Sequence, residues 1–248
     1  MRETLYGRQP VRECLLARRR HIHRLILAKG VKEAGIIGEI LSLASGLDIP
    51  TQRVPRTQLD RIARSHQGAA LEVAGYPYVT VDTVLGRARK QREVPFLLAL
   101  DHLQDPHNLG ALLRTAEAVG VHGVIVPGRR AVGVTPAVVG ASAGASEHVW
   151  VAQVTNLVQT LDRLKAADIW AVGLDSDPSA PSFEEVDLDM QLVLVVGAEG
   201  TGLSRLMRRT CDILVRLPMR GQMESLNASV AGGVVLYAAL ASRGFPAK

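Results

Sequence analysis

The chain of 248 residues carries two loops whose composition is typical of ligand sites. The first follows a continuous apolar run at 192–196 and reads Gly-Ala-Glu-Gly-Thr-Gly, with Glu199 between glycines where a tight turn needs no carboxylate. The second is a proline-containing loop after another predicted strand at 213–217. Because ligands in open α/β sheets bind beyond the carboxyl ends of strands, both loops are candidate parts of one site.

Several other kinds of site are disfavoured by residue spacing. The glycines follow G-x-x-G-x-G rather than the dinucleotide pattern G-x-G-x-x-G, and no Gly-Lys-Ser/Thr follows them, so a dinucleotide oxidoreductase is a distant alternative. No metal site is predicted, because His21 and His23 point to opposite sides of an extended segment and His102 and His107 have no third partner. No serine stands in a G-x-S-x-G elbow, which disfavours acyl transfer.

The elements that position these loops alternate between helix and strand, which predicts an α/β fold with a parallel sheet. An apolar stripe along 109–119 predicts a helix with Asn108 as its N-cap, and Arg114 points almost opposite that stripe. A further helix is predicted to begin at residues 225–227. It contains the pair Gly232-Gly233, which indicates that another backbone packs very closely against it.

Three segments resemble, in order and spacing, the three motifs of the SpoU (TrmH-type) family of RNA 2'-O-methyltransferases. They are LDHLQDPHNLGALLRTAEAVG at 100–120, VVGAEGTGLS at 195–204 and LPMRGQMESLNASVA at 217–231. The resemblance covers about residues 96–243. It implies a parallel-sheet α/β catalytic domain with a C-terminal trefoil knot of the SPOUT type. It also implies S-adenosylmethionine as methyl donor, without a metal.

The resemblance also assigns roles to individual residues. Arg114 corresponds to the family's essential arginine. Because a guanidinium stays protonated in proteins, we expect it to stabilise a developing alkoxide and hold a phosphate rather than act as a plain general base. The residues expected to position groups in the catalytic site are Asn108, Glu199, Ser225 and Asn227. The residues expected to hold the donor, largely through backbone groups, are Val196, Gly197, Leu217, Met219 and Leu226.

Charge is unevenly distributed along the chain. Residues 1–92 contain 17 Lys and Arg against 8 Asp and Glu, whereas residues 93–248 contain 12 against 16. A basic segment beside an acidic one indicates a polyanionic partner that is gripped through its phosphates. The candidate phosphate contacts are Arg18, Arg19, Arg20 and Arg24.

The first part of the chain resembles the small L30-like domain that precedes many SpoU catalytic domains. We therefore predict an RNA substrate-binding domain at 1–77, a linker at 78–94 and a methyltransferase domain at 95–248. The family implies a homodimer with the C-terminal helix at the subunit contact. No apolar run is long enough to span a membrane, no signal-peptide region is evident, and Cys14 and Cys211 are far apart, so we expect a cytoplasmic protein.

The predicted substrate is RNA, because the 2'-hydroxyl distinguishes RNA from DNA. Within the family, the layout is most similar to the bacterial enzymes that methylate a guanosine of 23S rRNA. The alternatives are a 23S rRNA adenosine, as in thiostrepton-resistance enzymes, a tRNA, or an RNA-binding ribosome-assembly protein without catalysis. The presence of Arg114, Glu199 and Asn227 together favours an enzyme.

Overall fold

A computed structural model of the chain describes residues 2–244, which form two compact units. The first unit comprises Met1–Pro77 and Val134–His148, and the second comprises Tyr78–Gly133 and Val149–Lys248. Within the described residues, no helix has both the length and the apolar character needed to cross a membrane.

Helices and strands alternate along most of the chain. In chain order they are β1 (Arg2–Tyr6), α1 (Arg8–Ala17), β2 (Ile22–Ala28), α2 (Ile36–Gly46), β3 (Thr51–Val54), α3 (Arg56–Asp60), β4 (Ala69–Ala74), α4 (Val81–Gln91), β5 (Phe96–Leu100), α5 (Pro106–Ala118), β6 (Gly123–Pro127), α6 (Pro136–Ala141), β7 (Val151–Val154), α7 (Leu157–Lys165), β8 (Trp170–Leu174), β9 (Leu192–Val196), α8 (Arg205–Thr210), β10 (Ile213–Val215) and α9 (Ala228–Ser242). Two short 3₁₀ turns lie at Ala145–Glu147 and Phe183–Glu185.

The N-terminal unit is built on a four-stranded sheet of order β1-β4-β2-β3. Strand β4 is antiparallel to both β1 and β2, whereas β2 and β3 are parallel. Leu5, Leu71 and Leu25 lie opposite one another across three strands and are fully buried. This shared face forms the core of the unit because residues paired across strands point to the same side of a sheet.

The second unit is built on a six-stranded, entirely parallel sheet of order β10-β8-β9-β5-β6-β7. Every residue of the central strands β5, β6 and β9 is buried. A strand covered on both faces needs apolar side chains at every position, which explains the continuous apolar runs. Since these three strands are neighbours and parallel, the loops that follow them emerge at one edge of the sheet.

The predicted α/β fold with a parallel sheet is confirmed, and the strands at 96–100 and 192–196 have the predicted bounds. Strands β1 and β7 were not predicted, because they are short and their apolar pattern is weak. The segment predicted as a linker contains α4. That helix packs on the sheet so closely that a Cβ at Gly123 would lie 2.6 Å from a Val84 methyl.

Segment Val134–His148 lies within the predicted methyltransferase domain, yet its contacts group it with the N-terminal unit. Helix α6 packs beside β1, and Val138 and Val139 of this helix are fully buried. This segment contacts residues more than a hundred positions earlier in the chain, and local sequence patterns do not predict such a long-range contact. At this segment, the compact units therefore differ from the predicted domains.

Candidate active site

The loop after β9 folds back on itself at the carboxyl edge of the parallel sheet. Ala198 and Gly202 exchange backbone N–H···O bonds of 3.1 and 2.9 Å, and Gly200 lies between them with φ of 78°. A Cβ at Gly197 would lie 2.2 Å from the carbonyl carbon of Gly202, so only glycine fits at this position. The turn places Glu199 on its exposed side.

A directional chain of hydrogen bonds joins this glutamate to two asparagines. Asn108 Nδ2 donates to Glu199 Oε2 at 2.8 Å, and Asn227 Nδ2 donates to Asn108 Oδ1 at 2.9 Å. Asn227 Oδ1 in turn accepts from the backbone N–H groups of Ser229 and Val230, at 2.9 and 3.4 Å. A carboxylate only accepts, so it fixes the orientation of the first amide, and that amide fixes the second.

The chain of bonds connects three elements that are distant in sequence. Asn108 lies in the first turn of α5, Glu199 in the loop after β9, and Asn227 is the N-cap of α9. The prediction that Asn108 caps α5 is wrong, because Asp105 is the N-cap and accepts from the N–H of His107 at 2.9 Å. Asn108 is thereby free to serve the tertiary contact, and its side chain is buried.

A second link between two of these loops was missed by sequence reasoning. Asp101 directly follows β5 and is buried. Its Oδ2 accepts from the backbone N–H of Ser204 at 2.9 Å, and its Oδ1 lies 2.6 Å from Nδ1 of His102. It therefore ties the end of β5 to the end of the glycine loop. The sequence feature that could have predicted this link is a carboxylate immediately after a fully apolar strand.

Arg114 and Ser225 are exposed and make no side-chain hydrogen bond or ion pair within residues 2–244. Arg114 lies on α5, on the side away from the buried residues of that helix, as predicted from the stripe. The opposite side packs on α9, where a Cβ at Gly232 would lie 2.7 Å from Leu112. The close approach indicated by Gly232 is therefore to a leucine side chain of the same molecule.

The loop between β10 and α9 presents unpaired backbone groups. Residues 217–226 form no backbone hydrogen bond with any other part of residues 2–244. Met219, Met223 and Leu226 on this loop are exposed. Free backbone donors and acceptors combined with apolar side chains suit a ligand with a flat heterocycle, so these residues fit a nucleoside group.

Across residues 2–244, no cluster of three His, Cys, Asp or Glu side chains is arranged to hold a metal ion.

The four arginines predicted to contact phosphate have different surroundings. Arg18 is exposed at the end of α1, in the left-handed region with φ of 52°. Arg19 is half-buried and donates to the backbone oxygen of Glu147 at 3.1 Å. Arg24 forms a 2.6 Å ion pair with Glu72.

Arg20 belongs to a buried ion cluster within the N-terminal unit. Its Nε and Nη2 donate to the two carboxylate oxygens of Glu147 at 2.9 and 2.8 Å, and its Nη1 donates to Glu3 at 2.7 Å. Its guanidinium also lies 4.9 Å from the ring centre of Tyr76. Burial alone would lower the pKa of Arg20, but the charge and hydrogen bonds of Glu147 and Glu3 raise it. With its side chain 0% exposed, Arg20 is not positioned to contact a phosphate.

Comparison with known proteins gives two family matches. The model of the SpoU rRNA methylase family matches residues 95–237, and a model described as RNA 2'-O ribose methyltransferase substrate binding matches residues 4–79. The Bacillus subtilis protein YacO, assigned to the TrmH family of tRNA/rRNA methyltransferases, is 44% identical over 236 residues, which are 95% of this chain and 94% of that protein.

Two solved structures illustrate the fold. AviRb from Streptomyces viridochromogenes, in complex with the cofactor AdoMet, superposes with a TM-score of 0.81 and 24% identity over 99% of this chain and 92% of that one. The A. aeolicus TrmH/SpoU tRNA modifying enzyme, 30% identical, has a TM-score of 0.57 over 66% of this chain and 85% of that one. Since one family model spans more than half of the chain and a relative shares 44% identity along nearly all of it, the chain belongs to the SpoU (TrmH-type) family of RNA methyltransferases.

Proposed function

We propose that this protein transfers the methyl group of S-adenosylmethionine to the 2'-hydroxyl of a ribose in RNA. The observation that carries the proposal is the bonded chain from Asn227 through Asn108 to Glu199, at the edge where ligands of parallel sheets bind. It joins the glycine loop to the start of α5, the helix that carries Arg114. The family membership supports the same reaction.

The donor is proposed to bind the glycine loop and the loop at 217–226. When bound, S-adenosylmethionine supplies an electrophilic methyl group on a sulfonium centre. Gly197 has no side chain, so the backbone of Gly202 packs directly against it and holds the glycine loop in place, and buried Val196 precedes this loop. The backbone groups of Leu217 and Leu226 are unpaired, and Met219 and Leu226 offer exposed apolar surface to an adenine ring.

Arg114 is proposed to stabilise the negative charge that develops on the ribose oxygen. It is exposed and has no counter-ion in residues 2–244, so its donors are available to a substrate. A fixed cation near a developing alkoxide lowers the energy of the transition state more than that of the ground state. The loop geometry is held by the bonded residues Glu199, Asn108 and Asn227. Ser225 adds an exposed hydroxyl group. Solvent takes up the proton that the ribose hydroxyl releases.

The N-terminal unit is proposed to bind RNA, with Arg18, Arg19 and Arg24 as candidate contacts. The excess of Lys and Arg over Asp and Glu in residues 1–77, 13 against 7, supports this role. We propose a guanosine of 23S rRNA as the target. The family match at residues 4–79 to a substrate-binding model supports an RNA-binding role for this unit. A cytoplasmic location is proposed as well, since Cys14 and Cys211 are free thiols, as is usual in a reducing compartment.

We also propose that the protein is a homodimer that associates through α9. Val230, Val234 and Tyr237 are 52%, 42% and 50% exposed and lie one turn apart on the same side of this helix. An apolar stripe on a helix that carries the site's Asn227 favours a self-association surface. Val234→Lys should shift the protein from dimer to monomer in light scattering, whereas Leu206→Lys on α8 should leave the mass unchanged.

The reaction is tested by incubating the protein with radiolabelled S-adenosylmethionine and total RNA from a strain that lacks the gene. Ribose methylation is then mapped at nucleotide resolution. A modified guanosine of 23S rRNA is the expected result. A modified 23S adenosine or tRNA nucleotide would retain the reaction but change the target, and no transfer to any RNA would favour an RNA-binding assembly protein.

A further inference from the structure

The loop after β6 brings two consecutive arginines to the edge of the sheet that carries the site. Strand β6 is the parallel neighbour of β5, so Arg129 and Arg130 emerge beside the loop that leads from β5 into α5. The two loops are in direct contact, because the N–H of Val132 donates to the carbonyl oxygen of Leu103 at 2.8 Å.

This arginine loop, residues 128–133, is held at both ends. At its start the N–H of Gly128 donates to the carbonyl oxygen of Val154 at 2.8 Å. At its end the backbone of Gly133 passes so close to Tyr78 that a Cβ there would lie 2.8 Å from the phenolic oxygen. Between them Arg130 has φ of 56°, in the left-handed region that residues other than glycine seldom adopt. The backbone is thus fixed, while the two side chains point into solvent.

Within residues 2–244, the two guanidinium groups have no counter-ion. Both side chains are exposed, and neither forms an ion pair or hydrogen bond within residues 2–244. The carboxylates of the neighbouring loops each already accept a hydrogen bond. They are Asp101, Asp105 and Glu199, which accept bonds from Ser204, His107 and Asn108 respectively. Two free cations therefore stand next to the site on a part of the chain that carries more Asp and Glu than Lys and Arg.

We propose that Arg129 and Arg130 grip phosphates of the RNA strand that carries the target ribose. The inference rests on the proposed function and adds a substrate-positioning element to the catalytic unit. The planar fork of arginine suits a phosphodiester, which offers two oxygens to paired N–H donors. A ribose presented at this edge brings its own flanking phosphates with it, and the arginine loop adjoins the loop from which α5 starts.

The test uses the full-length double variant Arg129→Ala/Arg130→Ala and a matched double variant, Arg89→Ala/Lys90→Ala. The control removes the same charge from the same unit, at exposed positions in the last turn of α4, the helix that leads into the amino end of β5. Calorimetry with S-adenosylmethionine and melting temperatures establish that donor binding and folding are intact. RNA from the gene-deleted strain serves as substrate, with the Km for RNA and the dependence of affinity on salt as readouts.

The arginine-loop variant should flatten the plot of log affinity against log salt by about 1.4 units, because each contact to single-stranded nucleic acid contributes about 0.7. Its Km for RNA should rise at least about tenfold, as expected for lost hydrogen bonds to a charged group, with unchanged donor affinity. The control should match the wild type in both. A wild-type salt slope in the arginine-loop variant would overturn this inference while leaving the methylation reaction in place. A wild-type protein that methylates no RNA would overturn the proposed function and this inference with it.

Discussion

Two hydrogen-bonded polar clusters, one in each unit, both contain glutamate but differ in how far they are exposed to solvent. In the N-terminal unit, Arg20 is enclosed by Glu147, Glu3 and the ring of Tyr76, and its side chain is 0% exposed. In the second unit, the chain from Asn227 ends at Glu199, a carboxylate that is exposed. The first cluster has a partner for each guanidinium nitrogen. The second ends at Glu199, whose carboxylate is held by Asn108 but is exposed to solvent.

The difference shows that residue type alone does not separate a structural group from a functional one. A buried charge is retained only if its partners compensate for lost hydration, and each guanidinium nitrogen of Arg20 accordingly donates to a carboxylate. A group that must meet a substrate needs the opposite arrangement, in which neighbours hold the side chain but leave some of its bonding capacity free. Asn108 is held on both sides, whereas Glu199 keeps one oxygen unpaired within residues 2–244.

The largest expected effect is on stability, from Glu147→Ala. Removing this carboxylate leaves Arg20 buried without its main counter-charge, and such a change costs about 3–5 kcal/mol. The matched variant Glu72→Ala breaks the more exposed pair with Arg24 and should cost about 1 kcal/mol or less. Denaturant unfolding, with hydrogen exchange of the β4 amides, measures both. Equal losses in the two variants would contradict the distinction between enclosed and open clusters.

Arg114→Ala should have the next largest effect, and on rate alone. Loss of one preorganised donor to a developing negative charge lowers the rate on the order of 10²–10³-fold. Because Arg114 is exposed and unpaired within residues 2–244, the melting temperature and donor affinity should stay at the wild-type values. Arg114→Lys should recover only part of the rate, since an ammonium lacks the planar fork. The rate is measured by single-turnover methylation of an rRNA fragment. Near-normal methyl transfer by the alanine variant would show that Arg114 is a solvent-exposed arginine without a role in the reaction.

Asn108→Ala should affect both stability and rate, each moderately. The change removes a buried amide that satisfies Glu199 on one side and Asn227 on the other, which costs about 1–3 kcal/mol. Asn156→Ala is a suitable control, because this asparagine caps α7 after the edge strand β7 and forms no bond to Asn108, Glu199 or Asn227. It should lose about 1 kcal/mol and keep full activity. If both variants retained the wild-type single-turnover rate, the bonded chain would have only a structural role.

Features set by local pattern could be predicted from the sequence. The bounds of β5 and β9 follow from fully apolar runs, and the outward direction of Arg114 follows from helical periodicity. The glycine loop and the start of α9 were also predicted, because glycine and asparagine have specific backbone roles there.

Features set by distant partners could not be predicted. Arg20 and its neighbours Arg18 and Arg19 form one basic run, and only the position of Glu147, 127 residues later, decides that Arg20 is enclosed. Asn108 is a good N-cap residue, but Asp105 takes that position because Pro106 suits the first turn of the helix. The pairing of Asn108 with Glu199 spans 91 residues, and no local pattern contains it.

The smallest expected effect separates two of the arginines that were predicted to contact phosphate. Arg18→Gly removes an exposed charge at a position with φ of 52°, where glycine is conformationally favourable, so the fold should not be weakened. If Arg18 contacts a phosphate, the slope of log affinity against log salt should fall by about 0.7 for a single-stranded segment. Arg24→Ala should change the slope less, because Glu72 already neutralises that side chain at 2.6 Å. Filter binding across a salt series measures both slopes. A larger change for Arg24 than for Arg18 would mean that RNA displaces Glu72, and that an ion pair within the protein does not mark an arginine as structural.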